Sequence, residues 1–310
     1  MRAVVLTEFG STPEVRDLEV PEPAVGEVRV RVRAASVNGF DLAVANGYLK
    51  GMMEHRFPVV IGKDFAGTVD AVGVEVTGYA PGDRVFGVVS KAYLGDGSFG
   101  EFVTVPVAVG LTRLPELVDF AEGAALGLAG TAALAAVDAA ALKAGQTVLI
   151  AGATGGVGSQ AVQLAAQVGA YVIATAHSDE ERRHVTVLGA AEVVDYQHDI
   201  AAAVLAAHSH GVDAVLHLAG DPAALLPAVR KGGRFVSTLV MSPQQLPTET
   251  ATVVPIYTNP TPAVLDHLAE NQAQGRARVT IQRVYSPDEA PAALRDFASG
   301  KLGKLVIVTG

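Results

Sequence analysis

Residues 147–166, TVLIAGATGGVGSQAVQLAA, set the strictest condition on how this chain can fold. An apolar strand, Thr147–Ala151, runs directly into Gly152-Ala153-Thr154-Gly155-Gly156-Val157-Gly158 and then into an amphipathic helix. A strand, a glycine turn and a helix N-terminus together form a pyrophosphate cradle. The glycines permit the tight turn and let backbone N–H groups approach phosphate oxygens, and the positive end of the helix dipole faces the negative charge. The alternative is an ordinary glycine-rich strand-to-helix turn. The flanking strand and helix favour the nucleotide reading, because the motif has meaning only in that context. The spacing is GxxGxxG through Gly152, Gly155 and Gly158, with Ala153 at the first position of a strict GxGxxG.

The chain has 310 residues, enough for a large core and about two domains. Half its residues are hydrophobic and 18% are charged, a globular and not a disordered composition. Net charge is −9 and no basic stripe occurs, which argues against nucleic acid and anionic membrane as partners. The N-terminal MRAVVLTEFG lacks the long apolar core of a secretion signal. Gly123–Leu142 is apolar over the length of a membrane span, but it is rich in Ala and Gly and carries Asp138, so it reads as one or two buried helices. There is no cysteine, hence no disulfide, no thiolate chemistry and no cysteine-ligated zinc. A cytoplasmic location is expected.

Residues 1–110 read as short strands separated by turns. Val28–Ala34 alternates Val with Arg, and Val59–Ile61, Gly67–Val72, Arg84–Val89 and Phe99–Val105 are further strands of an antiparallel, barrel-like region. The texture changes near Leu117. Beyond the glycine turn, strands Tyr171–Ala176, Glu192–Asp195, Asp213–Leu218 and Arg234–Leu239 alternate with helices Ser178–Leu188, Asp199–His208 and Pro222–Arg230. That alternation implies an α/β, doubly wound parallel sheet. Gln244–Pro262 contains four prolines and reads as irregular and mobile. A helix at Ala263–Gln274, strand Val279–Val284, helix Pro287–Ser299 and strand Lys304–Val308 follow, and the last strand needs a partner in the first domain.

In order and spacing, several segments match one family. They include EVRVRVRAASVNGFD (27–41), VVIGKDFAGTV (59–69), PGDRVFG (81–87), GSFGEFVTV (97–105), LKAGQTVLIAGATGGVG (142–158), KGGRFVS (231–237) and GKLVIV (303–308). Along essentially its whole length the chain resembles the medium-chain dehydrogenase/reductase superfamily, in its zinc-independent, zeta-crystallin-like quinone oxidoreductase branch. The resemblance implies a GroES-like β-barrel catalytic domain (1–116 and 263–310) and an inserted Rossmann domain (117–262). Zinc-dependent relatives need an early cysteine and a His-Glu pair after a glycine. Here Asn38 stands at the first position and Lys63-Asp64 follows Gly62, so no metal is expected.

In a Rossmann half an acidic residue at the end of the second strand binds the ribose of NAD. That position is His177, followed by Ser178 and, one turn later, Arg182 and Arg183. A hydroxyl with guanidinium groups suits a 2′-phosphate, so NADPH is expected. Glu181 stands where many relatives carry lysine. Ser178 through Glu181 also reads as a helix capping box, and the two roles are compatible. The turn residues Ala153, Thr154, Gly155, Gly156, Val157 and Gly158 would hold the pyrophosphate. Leu218, Ala219, Gly220 and Leu239, beyond later strand ends, would line the cofactor cleft.

By resemblance, Asn38 contacts the nicotinamide or the substrate carbonyl, and Thr131 contacts cofactor. The alternatives are a turn residue for Asn38 and a helix-interior hydroxyl bonded to its own backbone for Thr131. Asp41 reads as a helix cap. Proton-donor candidates, by position only, are Tyr48, Lys63 and Tyr93. Expected activity is NADPH-dependent reduction of quinones or enones. The alternatives are an enoyl reductase of a polyketide or fatty-acyl pathway, and a non-catalytic NADPH-binding redox sensor. A homodimer joined at the sheet edge, through Arg234–Leu239 and the segment after it, is expected from relatives.

Overall fold

A computed structural model describes residues 1–300 and 302–309. The chain is α/β and forms two compact units, Met1–Thr131 with the chain from Asn259 onward, and Ala132–Thr258.

The first unit is built on a sheet in the strand order Leu111–Arg113, Arg84–Val88, Asp64–Val72, Glu27–Ser36, Lys304–Val308 and Ile281–Tyr285, with Phe102–Pro106 also pairing with Glu27–Ser36. The Val/Arg alternation does what period two requires. Val28, Val30 and Val32 are buried, while Arg31 is exposed. The core gathers these valines with Phe65, Leu111, Tyr285, Leu294 and Ile307. The tail strand Lys304–Val308 lies antiparallel to Glu27–Ser36, with Val306 opposite Ser36, and Ser36 is in turn opposite Asp64. This register brings residues from three distant parts of the chain onto one patch. The apolar 123–142 segment is one helix, Phe120–Ala140, long and apolar enough to cross a membrane by composition, with 67% of its apolar window buried inside the protein.

The second unit is a six-stranded, all-parallel sheet. Its order is Glu192–Val194, Tyr171–Thr175, Thr147–Ala151, Val212–His217, Val229–Ser237 and Ala251–Pro255. Strand order reverses on either side of Thr147–Ala151. The glycine turn follows that strand directly, at the switch point where such sheets bind ligands.

Three expectations are corrected here. The helix expected over Pro222–Arg230 stops at Leu225 and tightens into a 3-10 turn over Leu226–Ala228, because Pro227 has no N–H to continue it. The next strand therefore begins at Val229 and ends at Ser237, leaving Leu239 beyond it. The segment expected to be irregular contains the strand Ala251–Pro255, in which Thr252, Val253 and Val254 supply β-branched side chains; Pro255 is tolerated on an edge strand, and the next N–H, that of Ile256, donates to Ser237 O at 2.8 Å. The sheet edge is Ala251–Pro255, within the segment that follows the expected strand, and Val229–Ser237 is interior.

Candidate functional site

In the second unit, Gly152 has φ +86°, and its N–H donates to Thr175 Oγ1 at 3.0 Å. The helix Gly156–Gln167 starts with Gly155 as its N-cap and has no side-chain cap. Its first N–H groups are thus left for a ligand. A Cβ on Gly158 would run into Gly152 O and come within 2.6 Å of Ala153 Cα, so only glycine lets the helix close on the turn. Gly155 faces open space apart from Gly152 O at 3.7 Å. Ala153 is buried and offers only backbone, whereas Thr154, Gly155, Gly156 and Val157 are partly exposed. These features fit a pyrophosphate. The same turn approaches the loop Leu218–Gly220, since a Cβ on Gly152 would lie 3.0 Å from Ala219 Cβ.

That loop is held by a residue that sequence reasoning missed. His217 is buried, with Nδ1 2.9 Å from Ser237 Oγ and Nε2 3.0 Å from Gly220 O. Burial pushes its pKa down, opposed by the Gly220 carbonyl. Ser237 Oγ also accepts the N–H groups of Leu239 and Val240. The two strand ends beyond which Leu218–Gly220 and Leu239 lie are therefore cross-tied. An isolated histidine in an apolar strand carries no signal of this kind.

At the end of Tyr171–Thr175, His177 and Ser178 are exposed. Ser178 Oγ accepts the Glu181 N–H, while Glu181 Oε2 accepts the N–H groups of His177 and Ser178, a full capping box. Arg182 donates to His177 O at 3.1 Å and to Asp195 Oδ2 at 3.3 Å, and His177 Nδ1 lies 3.0 Å from Asp195. Asp195 belongs to this group although it follows the neighbouring strand. Its pKa is held low by the Gln197 N–H and by His177. Arg183 is exposed.

In the first unit, Asn38 is the N-cap of the helix Gly39–Ala45 and is almost fully buried. Its N–H donates to Asp41 Oδ2 at 2.8 Å, and its Nδ2 donates to Asp64 Oδ2 at 2.8 Å and to Ser36 O at 3.3 Å. Its Oδ1 accepts from Lys304 Nζ at 2.6 Å. Lys304 also donates to Val37 O at 3.0 Å and lies 3.4 Å from Asp64. Ser36 Oγ and the Leu128 N–H complete the Asp64 shell at 2.6 and 2.7 Å. Burial pushes the Lys304 ammonium down, opposed by Asp64 and Asp41. Burial, helped by the Asp64 charge, pushes the Asp41 carboxyl up to about 7.

Lys63 donates to Val89 O at 2.6 Å, sits 4.8 Å over the Phe40 ring, and is also pushed down by burial. Tyr48 is 73% exposed. Tyr93 donates to Asp96 Oδ2 at 2.7 Å. Thr131 is buried, and its hydroxyl donates to Gly127 O within its own helix. Among the described residues no three His, Cys, Asp or Glu side chains gather as a metal site. Lys304 was not anticipated, because a lone lysine opening an apolar strand reads as a strand end.

Residues 24–116 match the alcohol dehydrogenase GroES-like domain, and residues 156–261 match the zinc-binding dehydrogenase domain. Quinone oxidoreductase from Sus scrofa is 31% identical over 336 aligned residues, which span 99% of this chain and 98% of the relative. The chain belongs to the quinone oxidoreductases of the medium-chain dehydrogenase/reductase superfamily. The solved quinone oxidoreductase of Coxiella burnetii superposes on this family member with a TM-score of 0.91 at 28% identity, covering 100% of this chain and 99% of the other. A mycocerosic acid synthase-like polyketide synthase of Mycolicibacterium smegmatis is 37% identical over 228 residues, spanning 72% of this chain and 10% of that protein. As an oxidoreductase of this family the protein uses a nicotinamide cofactor.

Proposed function

We propose that the protein is an NADPH-dependent reductase of quinones or activated alkenes that works without a metal. The observation that carries this reading is the Lys304 ammonium seated between Asn38 Oδ1 and Asp64. The polar cluster holds a cation of its own, its Asp64 carboxylate is already taken by Lys304, Asn38 and Ser36, and it offers an amide and amines where zinc would need thiolate or imidazole. Without a Lewis acid, a saturated alcohol has nothing to lower its pKa, whereas a conjugated acceptor needs only orientation, exclusion of water and a proton. NADPH supplies the hydride when bound. Gly155–Gly158 would hold its pyrophosphate. His177, Ser178, Arg182 and Arg183 would receive a 2′-phosphate, with Arg182 drawn from its ion pair with Asp195.

The test is oxidation of NADPH with benzoquinone-type and 2-enone acceptors, repeated with NADH and with a chelator. The expected result is turnover that prefers NADPH, survives chelation, and shows a large rise in NADPH KM for R182A/R183A. Equal turnover with NADH would overturn the cofactor assignment. Tight NADPH binding with no turnover would favour a redox sensor.

The polyketide synthase match favours a second reading, an enoyl reductase acting on thioesters. Faster turnover of an enoyl thioester than of any quinone would select it. The outer edge of Ala251–Pro255 is without a strand partner among the described residues, which supports a homodimer formed by edge-to-edge pairing.

A further inference from the structure

One buried acid has no part in the chemistry above. Asp41 is 1% exposed, and its Oδ2 caps the Asn38 N–H, but its Oδ1 is buried with no hydrogen-bond partner. A buried carboxyl oxygen left over in this way costs free energy unless something meets it. Asp41 borders a cavity of about 20 Å³ whose wall includes Phe40, Gly62, Lys63, Tyr93 and Asp96. One water needs roughly 10–15 Å³ and two or more polar partners. Lys63 stands on one side, close enough for the Asp41 charge to act on it. On the other side Tyr93 donates to Asp96, which also takes a 2.6 Å hydrogen bond from Lys91 and is one-third exposed. The cavity thus links a buried acid, a half-buried amine and a carboxylate that reaches solvent.

We propose that Asp41 is a positioning acid that keeps a proton on Oδ1 and returns it, through one water in this cavity, to the Lys63 amine after Lys63 has protonated the reduced acceptor. The inference rests on the proposed reduction of conjugated acceptors and takes Lys63, one of the three donor candidates named from position, as the donor. An acceptor that has taken up hydride carries negative charge on oxygen. It draws a proton from Lys63, breaking one N–H bond and leaving a neutral amine. The water gives its proton to that amine and takes the Asp41 proton. Solvent then restores Asp41 by way of the Tyr93–Asp96 wall. Each turnover consumes one solvent proton, and no oxidation state changes in these steps.

Burial favours the neutral forms of both groups, which narrows the gap between carboxyl and ammonium across which the proton moves. The charges acting on Asp41 are Asp64, which favours its protonation, and Lys304 and Lys63, which oppose it. The proton is held below pH of about 7 and lost above it.

The test compares wild type, D41N and K63M by kcat-against-pH profiles and by the infrared C=O band of a protonated carboxyl. The asparagine keeps an acceptor for the Asn38 N–H. In wild type kcat should fall as pH rises through about 7. D41N should lose that limb and be about tenfold slower below it, with NADPH KM unchanged. A purely structural role would lower kcat equally at every pH and keep the limb, which would overturn the proposal. K63M as fast as wild type would instead show that Lys63 is not the donor. The infrared band needs no turnover. It should vanish as pH rises through that range in wild type, be absent in D41N, and titrate at higher pH in K63M because the opposing charge is gone. Absence of the band in wild type overturns the proposal even if D41N fails to fold.

Discussion

Replacing Lys304 with Met tests how the buried cluster is held. Methionine keeps an unbranched apolar stem and removes the ammonium. Lys304 and Asp64 have side chains 3% and 0% exposed, so neither charge can turn to water. Breaking a buried pair by removing one partner costs about 3–5 kcal/mol. Asp64 would keep three donors, Ser36 Oγ, Asn38 Nδ2 and the Leu128 N–H, which places the carboxylate's share at the low end. Asn38 Oδ1 would lose its 2.6 Å donor, adding about 1 kcal/mol or more. K304M should therefore lose about 3–5 kcal/mol, read as a lower denaturant midpoint at unchanged slope. D64N alone would strand the ammonium against Val37 O and Asn38 Oδ1. The double variant K304M/D64N should be more stable than the sum of the single losses implies, by at least about 1 kcal/mol. A K304M protein within about 0.5 kcal/mol of wild type, or a strictly additive cycle, would refute the account of the cluster as a mutually dependent ion pair.

Other outcomes follow from the same geometry. G158A should weaken NADPH binding at least tenfold by calorimetry and cost about 1–3 kcal/mol of stability, because the added methyl meets backbone and not a flexible side chain; unchanged binding would remove the turn from the cofactor site. His217 has a folded pKa below its unfolded value, so its contribution is fully present above pH of about 6.5 and is lost as pH falls through the depressed folded value. In H217Q the acid-side loss, up to about 1.4 kcal/mol per pH unit, should flatten when stability is measured from pH 7 to 5; an unchanged slope would sink the assignment. T252K/V254K places lysines on the outer strand and should convert the proposed dimer to monomer in sedimentation without loss of the fold; a wild type that sediments as a monomer would remove the dimer.

Legibility followed the range of the interactions. Local features were readable: the glycine turn, the Val/Arg alternation, the alternating strands and helices, and the Ser178–Glu181 cap all depend on neighbours within one turn or one strand. The helix expected to Arg230 ends at Leu225 because Pro227 removes an N–H that the helix would need. Ala251–Pro255 was missed because prolines at its margins hid three β-branched residues, and because an edge strand exists only if its neighbour supplies a ladder. Asp195 joined His177 and Arg182 through the side-by-side pairing of parallel strands, a relation that chain position does not encode.

By itself the sequence determined the chemistry this chain can hold. It supplies backbone for a pyrophosphate, lacks an acidic residue at His177 and lacks cysteine altogether. Only the tertiary structure decided which groups meet. Antiparallel register sets Ser36 opposite Asp64 and beside the tail strand, and so delivers Lys304, 266 residues away, to Asn38. Burial then does what composition cannot show. It removes water from three ionisable side chains, Asp41, Asp64 and Lys304, and partly from Lys63, so that each must find its partner or its proton within the fold.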